Sequence, residues 1–252
     1  MAPILIIDPG HGGIDPGGGS NKLFTEKDLT LKISLYQFQR MHELNIPTAV
    51  TRTTDQTLSS EERTALVRNS GARYCISNHI NAGGGRGSEV IYSIYASAAL
   101  PRKISEALEA EGMPNRRIFT RTLPNDPSKD YYFMHRDTGC VETVIVEYGF
   151  ADNPLDADKL NRDWRDLAEA VIRAFCEHTN LAYRPPEKTG SNPPPVVLPG
   201  NGEEPDWKRE AIEWMYEQGL LTNEDWRNRA DEPLPLWAEA VILRRLFEKM
   251  RG

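Results

Sequence analysis

The sequence predicts an α/β fold: a mostly parallel or mixed sheet flanked by helices on both faces, plus a small all-α C-terminal domain. Three observations carry this expectation. Short β-branched runs alternate with amphipathic segments through residues 4–178. A stretch with seven prolines, RPPEKTGSNPPPVVLPGNGEEP (184–205), then holds too little apolar surface to offset its conformational entropy and reads as an extended linker. Beyond it the apolar spacing is helical. The chain therefore divides into a large domain over 1–183, a linker over 184–205 and a helical module over 206–252. A length of 252 residues suffices for one full core and a minor appendage.

Each element has its own signal. ILII (4–7) reads as a buried strand, and TEKDLTLKISLYQFQRMHEL (25–44) as a helix with Thr25 placed to cap it. PTAVTR (47–52) is strand-like. SSEERTALVRNS (59–70) opens with the capping-box spacing from Ser59 to Glu62. ARYCISN (72–78) and SEVIYSIY (88–95) follow as strands, and ALPRKISEALEAEG (99–112) as a helix ended by Gly112. VETVIVEYG (141–149) is a strand, and a last helix runs from about Asp156 to His178. Cys75, Cys140 and Cys176 show no CxxC spacing and read as small buried apolar residues.

Charge narrows the function. A net charge of −7 without a basic stripe speaks against a nucleic-acid partner. No run reaches the roughly 18 to 20 apolar residues of a membrane span, and the mean hydropathy is −0.55. Met1 to Ile7 carries no basic segment ahead of its apolar run, so the expectation is synthesis in the cytoplasm without a signal peptide.

In open α/β sheets ligands bind beyond the carboxyl ends of strands. His11 follows the first strand, His79 follows YCISN, and Glu147 ends TVIVE. Hydrolytic zinc sites take three protein ligands that mix imidazole with carboxylate and leave a fourth position for water. His11 and His79 supply two imidazoles, and Glu26 in the first helical turn is the best-placed carboxylate. Gly10, Gly12 and Gly13 let the backbone turn and keep the approach open. Taken singly, each residue also reads blandly. Both histidines suit polar loops, and a glutamate in a first turn favours the helix dipole.

DPGHGGIDPGG, TEKDLTL, TRTTD, SNHINAG and VETVIVEYGFADN occur in that order. Together they closely resemble the zinc-dependent N-acetylmuramoyl-L-alanine amidases of the amidase type 3 family, from about Ile4 to about Leu181. The resemblance implies zinc held by His11, Glu26 and His79, with Glu147 as the catalytic acid and base. It implies peptidoglycan as substrate, cut at the amide joining the lactyl group of N-acetylmuramic acid to L-alanine. Arg136 and His135, in YYFMHRDTG, fall where the family has a substrate-side loop. Asn81 and Asp15 are candidates to orient the ligands, while His42 and His178 read as surface or packing residues. A zinc peptidase acting within the stem peptide and a non-catalytic wall-binding protein are the competing functions.

The C-terminal pattern AIEWMYEQGLL…DEPLPLWAEAVILRRLF resembles one S-layer homology repeat. That resemblance implies anchoring to a secondary cell-wall polymer, with a self-associating helix pair as the competing reading. A wall-degrading enzyme without a signal segment is expected to be a phage endolysin that reaches the wall after holin-type membrane permeabilisation. Export of a host autolysin by another route is the competing setting.

Overall fold

The structure, a computed structural model, describes residues 2–186, 213–222, 241–242 and 244–245. In chain order the elements are β1 (Leu5–Pro9), α1 (Glu26–Glu43), β2 (Thr48–Val50), α2 (Ser60–Asn69), β3 (Tyr74–Asn81), β4 (Ser88–Tyr92) and α3 (Ala99–Ala110). They continue with β5 (Asn115–Phe119), β6 (Thr122–Leu123), β7 (Asp126–Asp130), α4 (Phe133–Arg136), β8 (Glu142–Phe150) and α5 (Pro154–Thr179). Six strands form one mixed sheet in the order β2-β1-β3-β8-β4-β5, while β6 and β7 make a separate antiparallel pair. β2, β1, β3 and β8 run parallel, β4 reverses against β8, and β5 follows β4.

Period-two alternation sorts the sheet's side chains into two cores. Leu5, Ile7, Ile76 and Val146 face α1, α3 and α5, whose Ile33, Ile104 and Val171 complete that layer. Ile6, Cys75, Ile91 and Ile145 face the other way, against Val67 of α2 and Met134 of α4. Burying each such aliphatic side chain contributes roughly 1.5–3 kcal/mol, which is why the apolar strands stay central. The sheet is thus covered by helices on both faces.

Local signals set most boundaries. Ser59 and Glu62 form the reciprocal capping box at the start of α2. Asn153 caps α5 through the Leu155 and Asp156 amides, ahead of Pro154 in the first turn, a place that needs no backbone donor. Gly112, at φ +81°, follows the end of α3. Thr25 precedes α1 as expected, but its hydroxyl bonds the Asp28 carboxylate rather than a helix amide. The free Glu26 amide instead donates to Ser20 Oγ at 3.0 Å.

Other expectations change. Cys75 and Cys176 are buried, but Cys140 is exposed in the turn before β8. β5, β6, β7 and α4 have no counterpart in the sequence reading. His79 and Glu147 lie inside β3 and β8 rather than beyond them, so the sheet itself carries them. Asn78, a polar residue in the core, is fully satisfied. It donates to Ser34 Oγ and Gln37 Oε1, both at 2.8 Å, and accepts from the Tyr148 hydroxyl at 3.0 Å. A buried polar group with all its partners costs little. His42 is exposed, and His178 packs edge-on to Tyr74.

The chain separates into two compact units, Met1–Leu198 and Pro199–Gly252, with the boundary inside the expected linker. Most of the expected helical module lies outside the described residues. Within it, residues 213–217 are helical, and Gly219 at φ +66° turns the chain so that the Leu220 amide bonds the Met215 carbonyl. Arg245 donates to the Leu220 carbonyl at 2.9 Å.

Candidate metal centre

The glycine-rich loop after β1 is held by two buried arginines. Arg63 donates to Asp8 Oδ1 and the Pro9 carbonyl, both at 2.6 Å, and to the His11 carbonyl at 2.8 Å. Arg52 reaches the carbonyls of Pro9, Gly10, Thr54 and Lys27. Asp8 is fully buried and also accepts from Thr51 and Ser77. Burial alone would raise its pKa, but the Arg63 charge and these hydrogen bonds hold the carboxyl below its ordinary range. Thus fixed, the loop turns His11 through a left-handed conformation, φ +59°, uncommon outside glycine.

That turn aims the His11 ring at the start of α1. His11 Nε2 lies 3.1 Å from Glu26 Oε1, and His79 Nδ1 lies 3.2 Å from the same oxygen. The two rings meet edge to face with centroids 4.9 Å apart. One ligand atom from each of His11, Glu26 and His79 falls within a 4.8 Å cluster. The Ile80 amide donates to Glu26 Oε1 at 2.9 Å, and the Gly19 amide to Oε2 at 2.7 Å. Glu26 is 2% exposed, whereas both imidazoles are partly open.

The charges cooperate. Burial opposes a charged His11 ring, yet hydrogen bonds and charge from Glu26 and Asp15 raise its pKa to about 9. Burial also opposes the Glu26 carboxylate, but the two imidazoles more than offset it and push its pKa far down. Asp15 Oδ2 sits 2.7 Å from His11 Nδ1 and fixes the ring's orientation, as the sequence suggests. Asn81 does not act on a ligand: its amide donates to Glu89 at 3.0 Å.

Glu147 stands directly across from His79 in the β3–β8 register. One of its carboxyl oxygens, Oε2, is buried and has no hydrogen-bond partner. Burial raises its pKa to about 7; the imidazoles of His79 and His11 work against this rise, and the carboxylates of Glu26 and Glu89 add to it. A carboxyl poised there can hold or release a proton at neutral pH.

Arg136 and His135 do not join this cluster. Arg136 Nη1 is engaged by the Asp130 and Tyr131 carbonyls at 3.0 and 2.9 Å, and Nη2 by Asp137 at 3.2 Å. His135 is 7% exposed, and burial lowers its pKa to about 4 despite the neighbouring Asp130, so the ring is neutral. Both line a cleft of about 980 Å3 with Glu142 and Thr143, at the start of β8. Glu147 is five residues further along that strand, roughly 17 Å away at strand rise.

Asp8, Arg52, Arg63 and Glu89 are the residues that sequence reasoning passes over. Asp8 left a trace as a charge closing an apolar run, and Arg52 as part of TRTTD. Arg63 and Glu89 look like ordinary surface charges until the fold buries them.

Two imidazoles and a carboxylate, half open and beside a proton-holding carboxyl, are the donor set of a metal-dependent hydrolase. Residues 5–177 match the amidase type 3 family, described as N-acetylmuramoyl-L-alanine amidase, and the chain belongs to this family. It is 36% identical over 188 residues to the N-acetylmuramoyl-L-alanine amidase CwlM of Bacillus licheniformis, covering 71% of each chain. It is 33% identical to a sporulation-specific N-acetylmuramoyl-L-alanine amidase of Bacillus subtilis, over 62% of this chain and 59% of that one. Its fold matches Cwp6 from Clostridium difficile with a TM-score of 0.66 at 30% identity, over 71% of this chain and 29% of Cwp6. The activity is hydrolysis of the amide between N-acetylmuramic acid and L-alanine in bacterial peptidoglycan.

Proposed function

We propose that this amidase is a zinc enzyme whose ion is held by His11, Glu26 and His79, with Glu147 as the proton carrier. The observation behind this reading is the cluster of three ligand atoms within 4.8 Å, with each ligand braced from behind. Asp15 orients His11, two backbone amides orient Glu26, and β3 carries His79. Zinc bound there supplies a Lewis acid that polarises the amide carbonyl and lets water ionise near neutral pH.

The chain's own groups do the rest. Glu147 takes a proton from the attacking water and returns it to the departing amide nitrogen, for which a pKa near neutrality suits both halves of the task. Its register opposite His79 supports this role. The partial exposure of both imidazoles gives a substrate access to the cluster.

Mass spectrometry of digested cell walls tests the bond. Free L-alanine amino termini with intact glycan chains are expected, and cleavage inside the stem peptide would overturn the assignment in favour of a peptidase. Chelation followed by zinc add-back tests the metal; lysis undiminished by thorough chelation counts against it.

For residues 206–252 we propose attachment to a secondary cell-wall polymer, resting on the resemblance to an S-layer homology repeat. Removing them should lower retention on purified walls without changing turnover of soluble muropeptides; a shift from dimer to monomer with retention unchanged would favour self-association. The proposed setting is phage lysis, the enzyme reaching the wall once the membrane is permeabilised. Lysis by cytoplasmic enzyme should then appear only on co-expression of a membrane-permeabilising protein.

A further inference from the structure

Glu147 belongs to a row that crosses four adjacent strands. Register pairs His79 with Glu147, Glu147 with Glu89, and Glu89 with Arg117. At the usual strand spacing, the Arg117 backbone lies about 10 Å from that of Glu147. The row therefore runs from a metal ligand, through the proton carrier, to a cation on the edge strand β5.

β5 carries an irregularity at this point. Asn115 pairs with Ser88 and Arg117 with Glu89, which leaves Arg116 as an extra residue between them. Such a bulge bends the strand and re-aims its side chains. Consecutive arginines, which in a regular strand would face opposite ways, both reach Glu89. Arg116 Nη1 donates to Glu89 Oε1, and Arg117 donates through Nε at 2.8 Å and Nη2 at 3.2 Å. Aromatic rings back both cations: Arg116 lies over Phe150 and Arg117 over Phe119.

Glu89 has more cations than it needs. Glu89 is buried and needs one cation, yet two surround it, and their side chains are 41% and 52% exposed. Both positive charges meet the one carboxylate of Glu89, from a strand two places from that of Glu147, on a chain whose net charge is −7. Each guanidinium has five N–H donors, most of them unspent on Glu89. A fixed, ring-backed, partly exposed guanidinium pair is suited to a carboxylate.

We propose that Arg116 and Arg117 bind the free α-carboxylate of the second stem-peptide residue, a γ-linked D-glutamyl group, and so select stems in which it is not amidated. The proposal rests on the amidase reading, which puts the scissile amide at Glu147. From that amide nitrogen, through L-alanine, to the second residue's carboxylate is roughly 6 Å by standard bond geometry. A stem peptide running from Glu147 toward β5 would bring that carboxylate within reach of an arginine side chain. The contact would come from β5, not from α4, which ends at Arg136.

Three soluble substrates test this on the zinc-loaded full chain: N-acetylmuramoyl-L-Ala-D-isoglutamate, its D-isoglutamine counterpart, and the isoglutamine form extended by a third residue with a free carboxylate. The acid should be cleaved with a kcat/KM about tenfold or more above that of the amide. High salt should shrink this ratio. Arg117→Gln and the double change with Arg116→Gln should bring it towards one, and Arg117→Lys should restore part of it. Because the readout is a ratio on one enzyme, partial unfolding of a variant cancels. Equal rates on acid and amide in the unaltered protein, or an undiminished ratio in the double variant, would overturn the proposal. A gain seen only with the extended substrate would do so too, by moving the contact to the third residue. Failure of the amidase reading itself looks different: no substrate would release an L-alanine amino terminus.

Discussion

Gly10 and the His79 imidazole are in direct contact: a β-carbon at position 10 would sit 2.4 Å from His79 Cε1 and 2.7 Å from the Asn78 carbonyl. At Gly10 the missing side chain is space that the second histidine already fills. Gly10→Ala should tilt the His79 ring away from Glu26 and weaken zinc by about tenfold or more. Competition with a chromogenic chelator measures this, and an unchanged zinc affinity would show that the ring has room to yield.

Asp15 is 59% exposed yet holds His11 Nδ1 at 2.7 Å. Asp15→Ala removes the group that fixes the ring's orientation. Zinc affinity or turnover should fall about 10- to 100-fold. Melting temperature should barely change, because an exposed pair contributes little to the fold.

Glu147→Gln keeps the shape of the side chain and removes its ability to move a proton. Turnover of a soluble muropeptide should drop about 100- to 10,000-fold, while zinc stoichiometry by atomic emission stays at the unaltered value. Loss of zinc together with activity would instead make Glu147 a ligand.

Asp8 and Arg63 couple the fold to the site through a buried ion pair at 2.6 Å. Asp8→Asn leaves the Arg63 charge unmatched in the interior, which should cost about 3–5 kcal/mol in denaturant unfolding. The pH dependence has a definite sign. The folded-state pKa of Asp8 is lowered. Its stabilisation is therefore complete above the unfolded value of about 3.9 and fades as pH falls through the folded value. Stability of the unaltered protein should drop on that acid limb, and the asparagine variant should show a flatter one.

Periodicity made the apolar strands and long helices legible, because burial fixes both pattern and place. β5 and β7, read as NRRIF and DPSKD, were not legible: most of their residues are exposed, so no alternation marks them. α4 spans only four residues, too few for a helical stripe. His11, Glu26 and His79 were found through ordered motifs rather than through any one signal. Arg136 shows another limit of the sequence. An arginine in a loop shows its charge in the sequence, but not the carbonyls that occupy it. Glu89 failed the opposite way, looking like a surface acid until two arginines and a sheet close over it.

The order of strands separates two tasks. The three proposed ligands come from the β1 loop, α1 and β3, whereas the arginine pair sits on β5 at the sheet's outer margin, where β4 is its one partner strand in the sheet. An outer strand paired on one side can change its side chains while the pairing of β1, β3 and β8 stays as it is. The cutting chemistry would stay put while the enzyme was refitted for a differently decorated wall.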